Sequence, residues 1–176
     1  PFVDDLRVDG MLRGAFLFSA HPRAKVLRID ASEAASQPGV VRVFTAADVP
    51  GERYQGLICP DWPLFVAEGE TTHCIGDILA AVAADTARHA RRALEHIRVD
   101  YERLPGVFSP EEALAPGAPK VHPDRDNLLS RSAIARGDVD AALAASAFVE
   151  TRTFTTQLIE HAFLEPEACL VVLGDR

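Results

Sequence analysis

The sequence predicts an α+β fold: a mixed sheet with two or three packed helices over residues 1–115, then an extension holding the first elements of a following domain. Three adjacent segments predict it. Residues 78–84 (ILAAVAA) carry no polar side chain, as a central strand covered on both faces requires, and their flanks decide for strand over buried helix. Directly behind them Ala87, Ala90, Leu94 and Ile97 recur at helical spacing opposite Arg88, Arg91, Arg92 and Glu95, with Asp85 or Thr86 as cap. Residues 97–102 (IRVDYE) then alternate with the period of two that marks a half-buried strand.

The remaining elements follow in order. Residues 11–19 (MLRGAFLFS) are apolar and aromatic and predict a buried strand; residues 25–30 (KVLRID) alternate as a second, and Ser19-Ala20-His21-Pro22 turns between them. Asp30 followed by Glu33 predicts a capping-box start for a short helix that Pro38-Gly39 stops, and residues 40–45 make a third strand. Residues 48–63, rich in Pro and Gly, predict a long surface loop pinned to the body by burial of Tyr54 and Trp62. A short helix (PEEAL) from Ser109 leads into the breaker-rich residues 115–119, where the first unit is expected to end. Beyond it, Gly137-Asp138 starts another helix with Val139, Ala142 and Leu143 inward. Residues 148–156 alternate like an edge strand, and residues 169–173 make one more. No internal repeat is present.

Composition narrows the function. With 176 residues and 48% hydrophobic content the chain can bury a core. A formal net charge of −8 and a pI near 5.2 repel phosphate backbones and anionic lipid, so nucleic acid and membrane surfaces are not expected partners. Cys59, Cys74 and Cys169 form no CxxC pair and are odd in number, which points to a reducing, cytoplasmic setting. No apolar run reaches the roughly 18 residues that span a bilayer. The opening in mid-segment, and the close just after an apolar run, suggest a piece of something longer.

Taken in order, several segments resemble the α/β-hammerhead domain that opens the large subunit of xanthine dehydrogenase and aldehyde oxidase enzymes. The resemblance is carried by Asp4-Asp5, Gly10-Met11-Leu12, Ser19-Ala20-His21-Pro22, Ile29-Asp30-Ala31-Ser32, Pro38-Gly39-Val40-Val41 and the stretch from Thr45 to Gly51. It continues through Ile75-Gly76-Asp77, Val99-Asp100-Tyr101-Glu102-Arg103-Leu104-Pro105 and Gly137-Asp138, and ends on Gln157 with Glu160-His161 through Glu165-Pro166. The resemblance implies that residues 1–115 are the hammerhead domain and residues 116–176 a linker and the start of a molybdopterin-binding domain. It implies a complete subunit that holds molybdenum on molybdopterin and hydroxylates an N-heterocycle or aldehyde with oxygen from water. It further implies FAD and 2Fe-2S centres in partner subunits or domains. The family's catalytic glutamate lies beyond this chain, so no catalytic residue and no activity are expected here. Gln157, Ile159, Glu160 and His161 are the cofactor-side candidates. Some relatives carry a glutamine immediately before the Glu-His pair; here that position is Ile159.

Plainer readings stand beside these. Glu160, His161 and Glu165 form a histidine-containing packed turn more readily than a metal site, and no metal is expected. Cys74 beside His73 reads as a buried thiol ahead of a strand, and Arg88, Arg91 and Arg92 as a solvated helix face. Ser19 and His21 would be the start of a hydrolytic triad, but no GxSxG accompanies them. The alternative to the large-subunit reading is a free-standing small-ligand or protein-binding module using the loop led by Tyr54 and Trp62.

Overall fold

The computed structural model describes residues 2–160, 167–172 and 174. In chain order its elements are β1 (Arg13–Phe18), β2 (Ala24–Asp30), α1 (Ser32–Ala35), β3 (Val40–Phe44), β4 (Tyr54–Gln55), β5 (Trp62–Pro63), β6 (Ile78–Ala84), α2 (Ala87–Leu94), β7 (Arg98–Arg103), α3 (Pro110–Leu114) and α4 (Val139–Ala145). Two compact units are present, residues 8–128 and the described parts of 1–7 with 129–176.

Because residues 78–84 have no polar side chain to keep in water, β6 takes the centre of a three-stranded sheet, order β1-β6-β3. Leu79, Ala80, Val82 and Ala84 are buried there. Ala80, Val82 and Ala84 pack on Ala90, Ala93 and Ile97 from the α2 region and on Ala34 from α1. Small side chains at this contact let helix and sheet approach closely. Thr86 caps α2, its Oγ1 accepting from the His89 N–H at 3.2 Å, and Arg91 and Arg92 in the last turn complement the helix dipole. The strand-helix-strand run therefore forms as predicted, but β7 leaves the first sheet and pairs with β2 instead. A second apolar cluster, Val26, Val66 and Leu79, fills the space beside that pair. The α+β class holds, with the strands split into three small sheets whose ladders are all antiparallel among the described residues.

Several expectations are corrected. Residues 11–19 are not wholly buried: Ala15 and Leu17 pack inward, while Phe16 and Phe18 remain 51% exposed on the other face. An alternating strand that is apolar on both sides can turn either side to the core. No capping box forms at α1. Ala31 is the N-cap, Asp30 accepts from the Ser32 amide and hydroxyl, and Glu33 reaches across to His96 Nδ1 at 2.8 Å and Arg98 at 3.1 Å. Burial of Trp62 does not pin the 48–63 loop, because that side chain is 60% exposed. The loop is held by the short β4–β5 ladder and by Arg53.

Farther on, α4 forms with the Asp138 side chain accepting from the Ala141 N–H at 2.9 Å, yet Val139, Ala142 and Leu143 are exposed instead of inward. Residues 148–156 and 169–172 are not strands, and Leu173 lies outside the described residues. A strand exists through its ladder partner, and these residues have none.

Candidate functional site

The densest polar constellation in residues 8–128 is built by the 48–73 loop. Arg53 Nη1 donates to the Phe65 carbonyl at 2.8 Å and to Glu70 Oε2 at 2.7 Å, and Nη2 donates to Glu70 Oε1. Glu70 also accepts from the Ala67 N–H at 2.9 Å and from the Tyr54 hydroxyl at 3.0 Å. The guanidinium lies 4.8 Å from the Tyr54 ring centroid. This fork-on-fork pair closes the turn that ends at Gly69, whose φ of +86° suits glycine, and sets residues 69–72 along the open edge of β2.

Two clefts flank the pair. One of about 350 Å³ is lined by Arg23, Tyr54, Val66, Glu70, His73 and Lys120 among others. The other, of about 390 Å³, is bordered by Ile29, Thr45, Ala46, Arg53, Ala67 and Glu68. Burial pushes the Glu70 carboxyl up, but the donors Arg53, Ala67 and Tyr54 outweigh it and hold the group below its ordinary value. The Glu70 hydrogen bond raises Arg53 against the opposing effect of burial, and burial with Glu70 raises Tyr54. All three groups consequently keep one protonation state around neutrality, as suits a clamp and not a proton carrier. The cations of the first cleft are engaged as well: Arg23 donates to the Pro105 carbonyl at 2.8 Å, and Lys120 pairs with Asp126 at 3.1 Å.

The other sequence candidates resolve in structural terms. Ser19 Oγ donates to the His21 carbonyl at 2.7 Å and accepts from the His21 N–H at 3.1 Å, so the hydroxyl serves its own turn. The His21 ring stands edge-on to Tyr101 at 4.9 Å. That geometry removes the hydrolase reading. Asp77, 3% exposed, accepts from the backbone N–H of His73 at 2.6 Å and of Cys74 at 3.3 Å, fastening the turn that feeds β6. Burial, with the Asp77 charge beside it, pushes the Cys74 thiol up, the reverse of an activated nucleophile. Arg88, Arg91 and Arg92 are exposed.

Gln157, Ile159 and Glu160 lie in a stretch without helix or strand and are exposed, Ile159 to 72%. His161 and Glu165 lie outside the described residues. Among the described residues no group of three or more His, Cys, Asp or Glu is arranged to hold a metal ion. Likewise, no helix there is long and apolar enough to cross a membrane. Sequence reasoning missed the Arg53–Glu70 clamp, whose partners stand 17 positions apart with no shared motif. It also missed the bare face of the β1-β6-β3 sheet, although the two-sided apolar pattern of residues 11–18 carried a signal for it.

Comparison with known proteins places this geometry. Residues 1–105 match the family model of the aldehyde oxidase and xanthine dehydrogenase a/b hammerhead domain. The chain is 37% identical over 174 residues to one probable subunit of a xanthine dehydrogenase from Bacillus subtilis (strain 168), covering 99% of this chain and 23% of that protein. It is 34% identical to the nicotinate dehydrogenase large molybdopterin subunit of Eubacterium barkeri, covering 95% of this chain and 39% of that protein. The crystal structure of quinoline 2-oxidoreductase from Pseudomonas putida 86 superposes with a TM-score of 0.68 at 33% identity, over 84% of this chain and 20% of that one. The chain thus spans well under half the length of each of these relatives.

Proposed function

This chain belongs to the aldehyde oxidase and xanthine dehydrogenase family, and from that premise we propose that it is the hammerhead portion and following linker of a molybdenum hydroxylase large subunit, acting there as a scaffold. The observation that carries this is the near-complete coverage of this chain against 23% of the Bacillus relative, so that most of a related subunit has no counterpart here. The polar cluster agrees: Arg53, Tyr54 and Glu70 hold a loop in place and stand ready to exchange no proton near neutrality.

The whole protein would then be an oxidoreductase that hydroxylates an N-heterocycle or aldehyde with oxygen from water, working with FAD and 2Fe-2S subunits or domains in the cytoplasm. Residues 1–115 would form the hammerhead domain, and residues 116–176 would lead into the molybdopterin-binding domain. Gln157, Ile159, Glu160 and His161 are the positions assigned to the cofactor side. The described residues do not by themselves fit molybdopterin, because no buried donors converge and Gln157 and Ile159 are exposed. No chemical step is therefore assigned to them, and the fragment alone is inactive. Ile159, where some relatives carry glutamine, bears on which substrate the whole enzyme accepts.

The test is the intact mass and molybdenum content of the native protein, isolated through a tag or antibody on this chain. A polypeptide several times heavier than 19.0 kDa that carries molybdenum, with flavin and iron-sulfur partners, is the expected result. A metal-free native chain ending near Arg176 would overturn it in favour of a small-ligand or protein-binding module.

A further inference from the structure

The sheet β1-β6-β3 has two faces, and only one is packed by α2. On the other, the ladder registers align Phe16, Ala81 and Phe44 in one cross-strand row and Gly14, Ala83 and Arg42 in the next, with Phe18 opposite Ile78. The outer strands raise aromatic ridges, the Phe16 and Phe18 centroids 6.5 Å apart, over a floor of alanine on β6. Phe16 and Phe18 are half exposed, and a Cβ added at Gly14 would meet no atom within 4 Å. Arg42, the one charged member of these rows, is already neutralised: it bonds Asp48 at 2.7 Å, and its guanidinium lies 5.0 Å from the Phe44 ring centroid.

We infer that this face is the docking surface for another part of the same large subunit, outside this chain, which lays an apolar helix or sheet face across the Phe16–Ala81–Phe44 row. The inference rests on the large-subunit reading and names the contact through which the scaffold acts. Chemistry favours that occupant. With its one cation paired internally, the surface asks for no countercharge, and its aromatic ridges over small residues resemble a core cut in half instead of the polar rim of a transient partner. Continuous chain is also the nearest source of such a cover, since this chain spans only 23% of its Bacillus relative.

The experiment uses the complete subunit in its native assembly, with Phe16→p-benzoylphenylalanine as photo-cross-linker and Leu57→p-benzoylphenylalanine, at a fully exposed position, as control. The expected product at position 16 is a cross-link within the same polypeptide to a peptide outside residues 1–176, leaving the subunit mass on a denaturing gel unchanged. A cross-link to a second copy or to a separate polypeptide, seen as a raised mass, overturns the inference. So does labelling no greater than at position 57. Hydroxyl-radical footprinting of the unsubstituted enzyme gives an independent check that does not depend on the variant folding. Phe16 and Phe18 should be oxidised more slowly than Leu57 despite the greater reactivity of aromatic rings, and faster oxidation counts against burial. Mass and molybdenum content of the same preparation separate the two ideas. A long molybdenum-bearing subunit with Phe16 open to solvent defeats only the docking surface, whereas a native chain ending near Arg176 defeats the large-subunit reading.

Discussion

Helices α2 and α4 start with the same device and meet different fates. Each has a side-chain N-cap, Thr86 accepting from His89 and Asp138 accepting from Ala141, and each carries apolar residues at helical spacing. In α2, Ala90 and Ala93 are buried against a sheet whose central strand needs a cover. In α4 no residue is buried. Caps and periodicity therefore decide that a helix exists, while its contribution to stability depends on a partner surface that they do not specify. The same contrast separates residues 11–18, which found a ladder on β6, from residues 148–156, which found none.

The largest test of that contrast places a charge at matching points of the two regions. Val82→Asp buries an unpaired carboxylate at the centre of the main core and should cost on the order of 4 kcal/mol or more, enough to unfold residues 8–128. Leu143→Asp on α4 should change thermal stability by less than about 0.5 kcal/mol. Comparable losses in thermal melts would mean that α4 has a hidden partner within the chain.

A smaller effect sharpens the account of how β6 is delivered to the core. Asp77→Ala leaves the His73 and Cys74 amides without their acceptor and should lower stability by about 2 kcal/mol in urea titration. Asp77→Asn keeps an acceptor and should recover part of it.

Next comes the loop clamp. Glu70 titrates below its ordinary value of 4.5 in the folded chain, so its stabilisation is complete above about pH 5 and is lost as the pH falls through the folded-state value. Glu70→Gln should lower stability near neutrality by about 1 kcal/mol and flatten the acid side of the stability curve, as read from melting temperature against pH. An unchanged acid slope would mean that other carboxylates carry it.

The finest comparison returns to the caps. Thr86→Ala should cost about 1 kcal/mol of global stability. Asp138→Ala should fray α4, seen as faster amide exchange at residues 139–142, without moving the main transition. A shift in global melting with Asp138→Ala would show that the two units fold together.

Much of the fold was legible in residues 78–103, because there the decisive forces are local or one-sided: an all-apolar strand has to be central, and an amphipathic helix beside it has to cover it. The family was legible from the order of short motifs, a property of the chain and not of its packing. Less of the candidate site could be read. Gln157, Ile159 and Glu160 were named from resemblance, and in this chain nothing packs around Gln157 or Ile159 to make a site of them. Arg53 and Glu70 join through a loop closure that leaves no spacing rule behind, and Trp62 was assigned to burial on size alone, although an indole is buried only where a neighbour supplies the surface.

Local chemistry along the chain thus determined the α+β class, the order of its elements, the caps of α2 and α4, and the family. Tertiary structure alone decided that β6 and β7 enter different sheets, that Leu17 faces in while Phe16 and Phe18 face out, and that residues 148–156 pair with nothing. The physical reason is that alternation is symmetric when both faces of a strand are apolar and a ladder takes two strands, so the side that is buried and the edge that is filled depend on which neighbours the rest of the molecule brings.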